Sequence, residues 1–103
     1  MLQILKSIFM TKEVDGYLVD ITTQCIKGHF DLSLKVGEKY EIHYGIHQGI
    51  YEYVGKISDQ DKKHIYSHGQ HLFRNLNTKQ ITFGYYGKFS PYEFTSIVKP
   101  LKQ

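Results

Sequence analysis

Alternation over residues 36–57 constrains this chain more than any other feature. Tyr40, Ile42 and Tyr44 are separated by Glu41 and His43, the two-residue period of a strand with one face in a core and the other in water. Tyr51, Tyr53 and Ile57 supply a second such row, and Gly45 and Gly49 flank a connection of hairpin length. The pattern predicts a twisted antiparallel hairpin with tyrosines on one face, around which the rest of the chain packs.

Residue choice elsewhere agrees. Nine Tyr, six Phe and eleven Ile stand against no Ala at all, and Ala is the best helix former. With nine Gly as well, the composition argues against a helical bundle. A chain of 103 residues has room for one modest core, so residues 1–103 read as a single domain. A lone Cys25 forms no internal disulfide, which fits a reducing compartment. Near the start, Lys6 interrupts the apolar run and no small-residue cleavage site follows. No run approaches the roughly 18–20 apolar residues of a membrane span. The expectation is a full-length cytoplasmic protein that does not enter a membrane. Twelve Lys to one Arg, with abundant Ile and Tyr, points to AT-rich coding in a low-GC bacterium, its phage or a mobile element.

Residues 1–13 read equally as a helical turn or a strand, and residues 14–100 as the β core. Glu13-Val14-Asp15-Gly16 is a turn, after which Tyr17 to Ile26 reads as one strand. Past Ile57, Lys63–Ser67 is expected to pair with His71–Asn75 across His68-Gly69, with a helix over 58–69 as the alternative. A further hairpin joins Leu72–Leu76 to Lys79–Tyr86 through Asn77-Thr78. Ser90, Pro91 and Glu93 describe a capped helical turn near 90–94, followed by a last strand from Phe94 to Val98. The sum is a mostly β fold: a small antiparallel barrel, or a highly curved sheet, of five to seven short strands with one helical turn.

Two segments resemble the SH3 domains and their SH3-like relatives. Phe30-Asp31-Leu32-Ser33-Leu34-Lys35-Val36-Gly37-Glu38 is similar to the segment that follows the SH3 RT loop. Gly87-Lys88-Phe89-Ser90-Pro91-Tyr92 is similar to the SH3 3₁₀ turn. The resemblance spans roughly residues 14–100 and implies an SH3-like barrel with Pro91 and Tyr92 at ligand-contact positions. The chain has no Trp, so the tryptophan platform for proline-rich peptides is missing.

Three constellations have chemistry to offer. His64, His68 and His71 would share a face at i, i+4, i+7 on a helix, as metal ligands or nuclease acid–base groups do. In a strand–turn–strand segment with Gly69 at its tip the rings scatter instead, and no metal or cofactor is expected. Cys25 with His29 would make a nucleophile–base pair, although a single cysteine in a β chain is more often a small hydrophobe. The third constellation is the basic, aromatic stretch 62–88. Residues 1–57 carry −1 and residues 58–103 carry +4, from six Lys and Arg74 against three acids. Lys62, Lys63, Arg74, Lys79 and Lys88 alternate there with Tyr66, Phe73, Tyr85 and Tyr86.

These residues other than Phe73, with Pro91 and Tyr92, form the candidate binding set, and no catalytic residue is assigned. The first expectation is a non-enzymatic module that docks on a protein, as an inhibitor of a host or defence factor would. The second is a nucleic-acid-binding regulator, lysines on phosphate and tyrosines on bases. The third is a small His-dependent ribonuclease. The sequence sets no oligomeric state, although an unpaired edge strand would support a dimer.

Overall fold

A computed structural model describes residues 10–85 and 89–101. Strand β1 (Thr11–Val14) turns at Asp15-Gly16 into β2 (Tyr17–Asp20). Next come β3 (Gln24–Lys27), β4 (Asp31–Leu34), β5 (Lys39–Ile42) and β6 (Gly49–Ile57), then β7 (His71–Asn75) and β8 (Ile81–Tyr85). Helix α1 (Pro91–Ile97) and β9 (Val98–Pro100) complete the described elements. β3 and β4 pair with each other, while the remaining seven strands form one antiparallel sheet. Neither sheet closes on itself, so the mostly β expectation holds and a closed barrel is not formed among the described residues.

β6 organises everything else. Its first half pairs with β5 (Tyr40 opposite Tyr51) and its end pairs with β2 (Val19 opposite Ile57), both along one edge. β7 runs along the other edge. One strand can serve two neighbours on one side because a bulge between Tyr53 and Gly55 bends it. Gly55 sits at φ +137°, and a β-carbon there would lie 2.8 Å from the Asp20 carbonyl oxygen and 3.0 Å from Val19 Cβ. Glycine is what lets β2 close onto β6.

The bulge also changes which face each residue meets. Tyr51 and Tyr53 join Tyr40, Ile42, Phe73, Phe94, Val98 and the β4 leucines Leu32 and Leu34 in one core. Val54 and Ile57 join Val19 and Leu72 in a second. Neighbours Leu72 and Phe73 therefore point into different cores, as the strand pleat requires. The expected single row of Tyr51, Tyr53 and Ile57 is thus split by the extra residue.

Other expectations are corrected in the same physical spirit. The strand expected over Tyr17–Ile26 is two, because Asp20 Oδ1 accepts from Thr22 N (2.9 Å) and Thr22 Oγ1 (2.7 Å) and turns the chain. Residues 63–67 do not pair with β7; that strand returns along β6 instead. The β7–β8 hairpin is present with Phe73 opposite Phe83. Ser90 Oγ accepts from Glu93 N and Glu93 Oε1 from Ser90 N, the expected capping box. Its helix runs on to Ile97, burying Phe94 and Thr95, so Phe94–Ile97 are helical and the last strand starts at Val98. His29 N donates to Thr95 Oγ1 (3.1 Å), tying that helix to the small sheet. The helix-or-strand question over 1–13 falls partly outside the described residues; 11–14 are strand.

Candidate functional site

Thirteen residues separate β6 from β7, and a buried carboxylate shapes them. Asp61 accepts from Leu18 N at 2.8 Å and from Lys63 N and His64 N at 2.9 Å each. Those N–H groups, Leu18 first, hold its carboxyl well below the usual carboxylate range, and the His64 ring adds to them. His64 Nδ1 lies 3.1 Å from both Asp61 oxygens, while its ring packs 4.4 Å from that of Tyr17. His68 Nε2 donates to the Asp61 carbonyl at 2.7 Å. Backbone bonds close the base: Ile57 N to Gln70 O, Gly69 N to Ile57 O, and Ser67 N to His64 O.

At the far side of this frame Ile65 and Tyr66 stand on a 3₁₀ turn (Ile65–Ser67), 53 % and 91 % exposed. Lys62 and Lys63 precede them and are exposed too. The structure places Lys62, Lys63 and Tyr66 on one loop, where a strand over 63–67 was expected, together with Ile65. Its signal in the sequence is an isoleucine beside Tyr66 inside a polar segment.

The histidines do not converge. His64 and His68 bind opposite parts of Asp61, whereas His71 is buried with its Nδ1 2.9 Å from the Tyr53 hydroxyl and its ring 5.9 Å from Phe94. Burial, with Lys56 adding, lowers the His71 pKa to about 4, and burial raises the Tyr53 phenol far above its ordinary value. Among the described residues no three His, Cys, Asp or Glu side chains gather as a metal site requires. Cys25 is exposed with Sγ 3.9 Å from Ser33 Oγ, while His29 packs edge-on against Tyr92 at 5.1 Å. No hydrogen bond among the described residues makes Cys25 and His29 a pair.

The remaining basic residues disperse. Arg74 donates to Asp15 Oδ2 (3.0 Å) and to the Lys79 carbonyl (2.8 Å), clamping the β1–β2 turn to the β7–β8 turn. Lys79 occupies that second turn at φ +66°. Tyr85 lies on β8 opposite His71, and Tyr86 and Lys88 lie outside the described residues. Pro91 opens α1, and exposed Tyr92 follows it. A second exposed apolar residue was not anticipated: Ile46, 96 % exposed, on the 3₁₀ turn Gly45–His47 at the other end of β6.

Comparison with protein families, with characterised proteins and with solved structures finds no match. Among the described residues no helix is long and apolar enough to cross a membrane.

Proposed function

We propose that the chain is a binding module that docks on a partner protein through the loop at 58–70. Tyr66 and Ile65 are the anchors, and Lys62 and Lys63 select an acidic rim around the partner's apolar pocket. One observation carries the reading: a buried carboxylate rigidifies a loop whose two large apolar side chains face water. Such exposure gives folding nothing, but preorganisation reduces the ordering cost of association, and tyrosine is a favoured hot-spot residue. An inhibitor that covers a host or defence factor would work this way. The nucleic-acid reading is weaker because Arg74, the residue best suited to clamp phosphate, is already engaged with Asp15.

The test is capture from host lysate, with and without nuclease treatment, using wild-type, Tyr66→Ala and Lys62→Glu/Lys63→Glu baits. The expected result is a protein retained by the wild type and bound roughly 30-fold more weakly by Tyr66→Ala, with an unchanged unfolding midpoint. Equal retention by Tyr66→Ala would overturn the proposal. Loss of all retention after nuclease treatment would transfer the loop to nucleic acid.

A further inference from the structure

His71 sits where the sheet meets α1, and its surroundings suit a neutral ring. The Tyr53 hydroxyl, buried on β6, lies 2.9 Å from His71 Nδ1 and has no other hydrogen-bond partner among the described residues. A buried phenol keeps its proton and donates it, so Nδ1 is the acceptor. On the other side α1 lays Phe94 over the imidazole, with centroids 5.9 Å apart and planes 26° from parallel.

A proton added at Nδ1 turns that acceptor into a donor. The Tyr53 hydroxyl then has to reverse, and its hydrogen is left facing the apolar core without an acceptor. No counter-charge is at hand either. From β6 the ring faces Tyr53 and its cross-strand neighbour Lys56, and on β8 Tyr85 stands opposite it in register. Asp20, opposite Lys56 on β2, bears on the Tyr53 phenol. On α1, Tyr92 packs against His29 and Glu93 is held at the Ser90 cap. Among the described residues His71 makes no ion pair. An imidazolium at this position is therefore driven toward water.

Which wall gives way follows from how each is held. β6 and β7 are interior strands, paired along both edges. α1 is seven residues long, kept down by buried Phe94 and Thr95 and by the bond from His29 N to Thr95 Oγ1. Its C-terminal end is anchored more firmly, since Ile97 O accepts from His43 N at 2.7 Å and Val98 pairs with Ile42. The helix can lift about that anchor without breaking a strand pair.

We propose that α1 is an acid-released flap: proton uptake by His71 lifts Phe94 off the Tyr53–His71 pair and opens the core on that side while the sheet stays folded. Small elements held by few contacts are the ones that open locally in this way.

The test is amide hydrogen exchange on the full chain at pH 7 and pH 5, corrected for intrinsic rates, beside the titration of the His71 ring resonances. The ring holds its proton near 4 with the flap closed and near 6.5 once exposed, so α1 should open roughly 20-fold more at pH 5 than at pH 7. Amides of residues 92–97 should show that gain, exchange faster than those of β6 and β7, and respond little to dilute urea, because the opening exposes little surface. In His71→Gln, which does not titrate, the pH dependence should vanish. The wild-type gain should also follow the titration of the ring itself, a readout that stands if the variant does not fold. Helix amides that share the rates and urea slope of the sheet would mean that acid loosens only the whole fold, and that result overturns the proposal. So does a gain that persists in His71→Gln or that appears without titration of the ring.

Discussion

Replacing Gly55 by alanine attacks the bend on which the large sheet depends. Two costs are distinguishable. Holding an alanine at φ +137° costs about 1–3 kcal/mol, because that region is populated almost entirely by glycine. The added methyl must also displace Val19 and the Asp20 carbonyl, which stand 3.0 and 2.8 Å from it, and Val19 is fully buried. Overpacking of this kind costs a further ~1–3 kcal/mol. Together they give about 2–6 kcal/mol, a large share of the roughly 5–15 kcal/mol available to a domain. In urea the midpoint should fall by roughly 1–3 M. Gly37→Ala is the matched control: its φ is +90°, but nothing lies within 4 Å of the new methyl. That variant should lose only the backbone share, about 1–2 kcal/mol. If both variants unfold at the same midpoint, close approach of β2 is not what demands glycine, and the account of the bend is wrong.

Two further outcomes rest on single groups. His71 is held at about 4 when folded, whereas an unfolded chain takes up the same proton near 6.5, so stability is full above about pH 6.5 and declines as pH falls toward 4, by at most about 3 kcal/mol. Urea midpoints at neutral and mildly acidic pH should diverge less in His71→Gln; an unchanged pH slope would assign the titration to another group. Ser90→Ala should cost about 1 kcal/mol by removing the cap, and Ser90→Asp should restore most of it; a silent Ser90→Ala would mean that Phe94 and Thr95 packing alone sets the helix start.

Legibility in the sequence followed the range of the forces. The hairpin of β5 and β6 was readable because alternation of Tyr40, Glu41, Ile42 and His43 encodes its own two faces. The Ser90–Glu93 cap was readable because both hydrogen bonds close within three residues. Two of the loop residues behind the proposed docking surface were named for their charge, and Tyr66 for its ring. Ile65 was passed over because an exposed isoleucine cannot be told from a buried one without knowing its neighbours. Arg74 has the chemistry of a phosphate ligand, but Asp15, 59 positions away, holds it, and local sequence carries no sign of that pairing.

By itself, then, the order of residues determined a β-rich chain, its central hairpin, its final helical turn and the absence of an internal disulfide, all properties that arise from composition or from contacts a few positions apart. Tertiary structure decided the rest. It alone bent β6 at Gly55 and sent β7 back along that strand. It fixed the 58–70 loop through a carboxylate that reaches Leu18, 43 positions earlier, and it left β4 and β9 apart. The reason is physical: a buried donor or edge strand takes whichever partner the whole fold brings within reach, and local periodicity says nothing about which that is.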